Sequence, residues 1–446
     1  MIKKIRQKIS FFYKETDMHE VFHSVVIAFL MKLTGSAINF IFNIVIARLL
    51  GVEGTGLYFM ALSITLISSV IGRLGLDNAL LRFISIYSAN SEWGEVKGVY
   101  QLGMKMVIIC SGIVSIIIFL ASQWIADDIF SQPELKEPLR WMSLSILPFA
   151  LLNIQAESLK AIKEIKLAMF VQGIGIPLGS LLVIYLLGNS VEVSGVARAY
   201  LAGVIMTALL GIFTWKRLMQ KNSGNVVKFP FHELWATCKP LLVVAIMNRA
   251  LLPWAPILLL GIWVSAEDVG VFGAATRVSL LVSFILVSIN SVLVPRYAEL
   301  YAKEDLVALA RIVKRASLLS AIFASPIFII IFLETQKIML LFGESFALGS
   351  NILIVLTIGQ LINVFCGSVG YLLIISGFQE LYRNITMASA LLQMLLVVIL
   401  APILGGLGAA LASSIALIGL NLVAMIGVYQ KLGIGTIFGI RGPNEC

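Results

Sequence analysis

An all-α polytopic membrane protein of about twelve transmembrane helices, in two pseudo-symmetric six-helix bundles, is the fold class that three observations predict. The first is composition: 59% of the 446 residues are hydrophobic and 13% are charged, with mean hydropathy +0.98. A soluble chain carries about a quarter of its residues as Asp, Glu, Lys and Arg, so half that supply cannot cover a water-facing surface. The second is the regular return of apolar runs long enough for a helix to cross a bilayer. The third is an internal repeat that divides the chain in two.

The N-terminus reads MIKKIRQKISFFYKE, with Ile2, Ile5, Ile9 and Phe12 at helical spacing and Lys3, Lys4, Arg6 and Lys8 between them, the pattern of a helix lying on an anionic leaflet. The apolar stretch that follows contains Lys32 and has no clear A-x-A exit, which favours a retained span over a cleaved signal. Apolar runs then predict spans near 24–50, 56–76, 99–121, 140–160, 166–187, 193–215, 239–263, 268–295, 315–333, 350–376, 383–403 and 406–429. With the N-terminus inside, only Lys136, Arg140 and Lys337 of the 33 basic residues fall in outer loops, seven fall within spans and the rest lie inside. The positive-inside rule therefore predicts that both termini are cytoplasmic.

Glu53-Gly54-Thr55-Gly56-Leu57-Tyr58 and Glu267-Asp268-Val269-Gly270-Val271-Phe272 match with a shift of 214, and the same shift pairs Ala61 with Ala275, Ser69 with Ser283 and Arg82 with Arg296. A duplication with six spans per half inserts both halves in the same sense, related by an axis along the membrane normal. The expected organisation is an N-terminal segment 1–23, a bundle 24–215, a cytoplasmic linker 216–238, a second bundle 239–430 and a cytoplasmic tail 431–446.

Several chemistries are disfavoured. Cys110, Cys238, Cys366 and Cys446 are too far apart for a CxxC site, and His19, His23 and His232 offer neither an HExxH helix nor a triad inside the apolar region. There is no GxxxxGK[ST] run for ATP, and outer loops under about 20 residues leave little room for a catalytic face. The expectation is a non-enzyme without cofactor or metal. Its formal charge of +9 follows membrane topology and does not indicate a nucleic-acid partner.

The informative residues are polar groups within spans. A cation at mid-bilayer costs about 2.5–3.5 kcal/mol on insertion scales. Arg48, Arg73, Lys105 and Arg198 lie near span ends and can snorkel to headgroups. Lys32, Arg249 and Arg277 sit about nine or ten residues into the first, seventh and eighth spans. Lys32, Ser36, Asn39 and Asn43 fall within about 40° of one line on a helix. Pro253 and Pro256 share the face of Arg249, which predicts a bent helix there. Asp77 lies four residues after Arg73, and Glu157 three before Lys160, so ion pairing explains both carboxylates, which are also the candidate ion-coupling positions. Three unpaired cations would together cost roughly 8–10 kcal/mol, which predicts a wet central cavity holding an anionic guest. Lys and Arg suit phosphate oxygens. For uncharged positions such as Asn153, Gln360, Asn363, Ser389 and Gln393, helix–helix hydrogen bonding is the competing explanation.

The run Ala47-Arg48-Leu49-Leu50-Gly51-Val52-Glu53-Gly54-Thr55-Gly56-Leu57-Tyr58, then Arg73-Leu74-Gly75-Leu76, Pro295-Arg296-Tyr297 and Leu341-Phe342-Gly343, resembles the polysaccharide-export and O-antigen (Wzx-like) flippase family. That family belongs to the superfamily of multidrug and toxin exporters and the lipid II flippase. The resemblance spans nearly the whole chain through short motifs. It implies two six-helix bundles around a V-shaped cavity that move a polyprenyl-pyrophosphate-linked oligosaccharide across the bacterial cytoplasmic membrane. It also implies membrane lipids and polysaccharide polymerases or glycosyltransferases as partners. By helix, Lys32, Arg73 and Arg277 are the counterparts of the lipid II flippase's cationic cavity residues. The expected substrate-binding set is Lys32, Asn39, Asn43, Arg73, Arg249 and Arg277. The competing function, a multidrug exporter of the same superfamily, would need an acidic pocket for cationic drugs.

Overall fold

The computed structural model describes residues 16–188, 191–222 and 224–436, which places the basic N-terminal segment and the end of the tail outside the described residues. Among these residues every regular element is helical.

A helical stretch, Thr16–Gly72, is broken at Gly51, whose φ of 66° lies in the left-handed region that glycine adopts without strain, giving α1 (16–50) and α2 (52–72). A turn through Leu74 (φ 54°) and Gly75 (φ 76°) leads into α3 (Leu76–Ala89). Next come α4 (Trp93–Trp124), the bent pair α5 (Lys136–Leu144) and α6 (Ile146–Ala161), α7 (Ile165–Met169), α8 (Gly175–Leu187) and α9 (Val193–Gln220). The second half opens with α10 (Phe231–Ala245) and α11 (Leu252–Trp263), then α12 (Ala266–Ala302), α13 (Leu306–Leu333), the short α14 (Thr335–Leu340), α15 (Ser350–Cys366) and α16 (Val369–Ile375). The last stretch, Gln379–Leu432, has 54 residues, over twice the ~20 that one crossing needs. It breaks at Gly405 (φ 56°) into α17 (379–404) and α18 (406–432). Ser389 donates to the Ala416 carbonyl and Gln393 to Ser413, so these two arms run antiparallel, and the polar groups on the eleventh span act as helix–helix bonds.

With α2–α3, α5–α6, α7–α8, α10–α11 and α15–α16 each counted as one interrupted pass, the described chain makes twelve passes in two pseudo-symmetric six-helix bundles. Apart from the bend near Pro253 and Pro256, these interruptions were not foreseen. The region after the second span, expected as a loop, holds the 14-residue α3, and Gly367 (φ 74°) divides the tenth span. Apolar composition marks membrane depth but is blind to a single backbone angle. Helices also take up both ends of the expected 216–238 linker, since α9 ends at Gln220 and α10 starts at Phe231.

The halves meet in a contact that carries its own symmetry. A Cβ on Gly56 would stand 1.7 Å from the Ala266 carbonyl oxygen, and a Cβ on Gly270 would stand 2.2 Å from that of Val52. A shift of 214 converts one contact into the other, which is what a two-fold axis between duplicated helices produces. Close approach of α2 and α12 therefore needs glycine at both positions. The same end is sealed by Arg48 Nε donating to the Leu341 carbonyl at 2.8 Å and by the edge-to-face pair Phe40–Phe342 at 5.9 Å. The polar interior lies on the other side of this seal.

Candidate functional site

Behind the seal a cavity of about 530 Å³ is walled by α1, the α6 end, the α7–α8 region and α12. Lys32, Ser36, Asn39 and Asn43 all line it, four positions at near-helical spacing on α1. Arg277 of α12 faces them, and Lys160 enters from the end of α6. Lys160 Nζ lies 2.7 Å from Gln172 Oε1 and 3.1 Å from Glu157 Oε1. Gln172 and Gly173 sit in a π-helical turn, Phe170–Ile174, between α7 and α8. Such turns widen a helix by one residue and recur at functional sites. Here the turn brings Gly173 against Gly35 of α1, where a Cβ would be 3.2 Å from the Gly173 carbonyl oxygen.

Arg277 makes no carboxylate contact among the ion pairs of the described residues. Its guanidinium carbon instead stands 4.7 Å from the ring centre of Trp254 and 5.4 Å from that of Phe59. The two cation–π contacts, at about 0.5–2 kcal/mol each, are of the same order as the ~2.5–3.5 kcal/mol cost of a cation at mid-membrane. Ring faces do not meet the hydrogen-bonding capacity of a guanidinium with five N–H donors, which suits Arg277 to water or an anion.

One sequence-based expectation, an unpaired Arg249, requires correction, whereas Arg73 and the two carboxylates take the ion pairs that their spacing predicted. Arg249, read as unpaired, donates from Nη1 to Asp77 Oδ2 at 2.8 Å and has Nη2 4.0 Å from Glu157 Oε1. Its helix does deviate where predicted, in a π-helical turn, Ile246–Leu251, ahead of Pro253 and Pro256. That deviation turns Arg249 toward a partner 172 positions away in sequence. Arg73, expected to bind substrate, is 4% exposed and held by Asp77 at 3.1 Å. The carboxylates Asp77 and Glu157 are 2% and 4% exposed and are both taken up by cations. The candidate residues thus form two groups: Lys32, Asn39, Asn43 and Arg277 line the cavity, whereas Arg73, Arg249, Asp77 and Glu157 form an ion cluster beside it. Lys160 belongs to both. Among the described residues the two groups hold five cations, Lys32, Arg73, Lys160, Arg249 and Arg277, and two carboxylates, Asp77 and Glu157, so the surplus positive charge survives the correction.

Two further spaces adjoin the cavity. A groove of about 890 Å³ runs between α1 and the α12–α13 pair, lined by apolar side chains such as Leu33, Ile285, Val292 and Phe323, with Ser36 and Ser288 as its only polar members. It shares Ser36, Phe40, Leu281 and Phe284 with the cavity. On the opposite side, a pocket of about 250 Å³ carries Tyr58, Phe149, Tyr200 and Trp254, and shares Asn39, Asn43, Gln172, Gly173 and Arg277 with the cavity. These aromatic residues come from α2, α6, α9 and α11, and no sequence spacing announces their convergence. Among the described residues no group of three or more His, Cys, Asp or Glu side chains could hold a metal ion.

The architecture is that of a multi-span membrane protein with two helical bundles and a cationic chamber between them. Among solved structures it is similar to an inward-facing multidrug resistance MATE family transporter of the MOP superfamily, at TM-score 0.74 and 16% identity over 92% of this chain and 98% of that one. It is also similar to the lipid II flippase MurJ in an inward closed conformation, at TM-score 0.71 and 15% identity over 90% of this chain and 87% of that one. Identities this low speak for the fold. The family is given by sequence: a model described as "Polysaccharide biosynthesis protein" matches residues 21–301, and the chain belongs to that family. A curated relative, "Probable low-salt glycan biosynthesis flippase Agl15" of Haloferax volcanii, is 21% identical over 394 residues, 87% of this chain and 79% of the relative.

Proposed function

We propose that this protein is a flippase carrying a polyprenyl-pyrophosphate-linked oligosaccharide from the inner to the outer leaflet of a bacterial cytoplasmic membrane, for surface polysaccharide synthesis, without covalent chemistry of its own. The observation that carries this reading is adjacency: a groove apolar but for two serines and a cationic cavity share one wall of four residues. A lipid-linked pyrophosphate needs both environments at once. Its isoprenoid tail loses about 0.8 kcal/mol for every CH₂ moved into water, while its phosphates need cationic donors. The family and the name of the Haloferax relative support the same substrate class.

With both termini cytoplasmic, as the distribution of Lys and Arg argues, the Gly56–Gly270 seal lies toward the outer face. The substrate head would meet Lys32 and Lys160 first and Arg277 deeper in, while the tail stays in the groove between α1 and α12–α13. Rocking of the bundles would then part the glycine seal and release the head outward. Glycosyltransferases that build the lipid-linked sugar and a polymerase that consumes it would be the functional partners. A cationic-drug exporter is disfavoured because the cavity and the pocket are lined by Lys32, Lys160 and Arg277 and by no carboxylate.

The test is flipping of a fluorescent polyprenyl-pyrophosphate-linked sugar in vesicles containing the purified chain. Lys32→Gln and Arg277→Gln are each expected to slow it roughly tenfold or more, the equivalent of one lost charge-assisted hydrogen bond. Unchanged rates in both variants at equal insertion would remove the cationic cavity from the mechanism.

A further inference from the structure

Resting on the flippase reading, we infer that the aromatic pocket beyond Arg277 is a subsite for the sugar ring attached directly to the pyrophosphate. The argument begins with order. The groove and the cavity share four residues, the cavity and the pocket share five, and the groove and the pocket share none. The three spaces therefore run in series as apolar, cationic, then aromatic with amides. A lipid-linked sugar has its parts in that same sequence: tail, phosphates, ring. Arg277 stands at the junction of the last two spaces, where the bond between phosphate and sugar would lie.

The lining chemistry suits a pyranose. One face of such a ring is a patch of C–H groups, and aromatic faces carry the negative side of a quadrupole that attracts polarised hydrogens. Phe149 and Trp254, both half-buried, supply such surfaces, and the edge-to-face pair Tyr58–Tyr200 at 6.5 Å, 1% and 5% exposed, forms the packed floor behind them. The rim of the ring carries hydroxyls that both donate and accept, as the carboxamides of Asn39, Asn43 and Gln172 also do. An apolar pocket with a few convergent polar groups is the usual form of a small-ligand site. Its volume of about 250 Å³ falls just below the ~300–1,000 Å³ of ordinary small-ligand pockets, the scale of one ring and not of an oligosaccharide. The remaining sugars would then occupy the wider cavity and solvent, so discrimination would act on the first sugar.

The experiment titrates the full-length protein in lipid nanodiscs with two probes, bare polyprenyl pyrophosphate and the same lipid carrying a single hexose. The readout is the ratio of their affinities, taken within each variant so that a partial loss of folded protein cancels. In the parent chain the hexose is expected to tighten binding about tenfold, within reach of one hydrogen bond plus one stacking contact. Phe149→Leu, which removes a platform at similar volume, and Tyr200→Phe, which removes only a hydroxyl, should both bring the ratio toward one. Equal affinities for the two probes in the parent chain, or a ratio unchanged in both variants, would overturn the subsite while leaving the flippase reading intact. Failure of the parent chain to bind either probe would overturn both.

Discussion

The two halves share a fold and differ in chemistry, and the difference is concentrated in one pair of helices. Under the shift of 214, the path from α2 to α3 corresponds to α12, yet the first breaks at Leu74-Gly75 while the second continues unbroken from Ala266 to Ala302. Where the first half has Gly75 in the left-handed region, the second has Ile289, and a β-branched residue cannot take that backbone cheaply. Where the first half has Arg73 and Asp77, the second has Val287 and Ser291. The break lets α3 approach α10 so closely that a Cβ on Gly75 would stand 2.7 Å from the Leu242 nitrogen. The same neighbourhood delivers Arg249 to Asp77. The halves share a frame, and the first is bent to hold an ion cluster that the corresponding positions of the second do not supply. The cavity is equally lopsided, since Arg277 corresponds to Ser63 and Lys32 to Ile246. A substrate with a distinct tail, charge and sugar has no use for a symmetric chamber.

The largest expected effect breaks the asymmetric element. Asp77→Asn leaves Arg73 and Arg249 without their shared carboxylate, and removing one member of a buried ion pair costs about 3–5 kcal/mol. Thermal unfolding of the detergent-solubilised protein should show it, and Arg249→Leu in the same chain should recover part of the loss by removing the orphaned charge. Additive losses in that double variant would mean that the pair is not coupled. The next effect probes the symmetric element. Gly56→Ala and Gly270→Ala each drive a methyl into a backbone carbonyl of the opposite half, and overpacking of this kind costs about 1–3 kcal/mol. The two losses should be of similar size. A loss at one glycine alone would show that the pseudo-two-fold contact is not energetically symmetric.

What the sequence revealed divides along the same line. Local periodicity is readable, so Lys32, Ser36, Asn39 and Asn43 were expected on one stripe and all four line one cavity wall. The i,i+4 pair Arg73–Asp77 and the i,i+3 pair Glu157–Lys160 were equally readable. The repeat was visible as a 214-residue shift, and with it the two-bundle frame. Contacts between distant segments were not readable. Arg249 carries nothing in its neighbourhood that names Asp77, and the π-helical turn that aims Gln172 into the cavity has no side-chain signature. The aromatic pocket draws one ring from each of several helices, and a single aromatic residue in an apolar span looks the same whether it faces lipid, core or ligand.

The smallest expected effect sharpens the comparison by asking whether pairing or burial sets the value of a charge. Near the end of α12, Glu299 contacts Arg296 and Lys303, the latter at 2.6 Å, whereas the first half has Ser85 and Ala89 at the corresponding places of Glu299 and Lys303. On paper this triad looks as strong as the Asp77 cluster. Its cations, however, are 46% and 64% exposed and its carboxylate 16%, against 5% for Arg73, 38% for Arg249 and 2% for Asp77, so water already solvates more of what the pair would otherwise have to. Exposed pairs contribute about 0.2–1 kcal/mol, so Glu299→Ser, which imposes the first half's residue on the second, should change unfolding free energy by under about 1 kcal/mol. Salt gives the sharper criterion: at about 1 M the Debye length falls to about 3 Å, so the Glu299 effect should fade while the Asp77→Asn loss persists in its buried site. Equal losses at the two positions, or equal sensitivity to salt, would mean that α12 holds its charges as α3 does and that the asymmetry between the halves lies elsewhere.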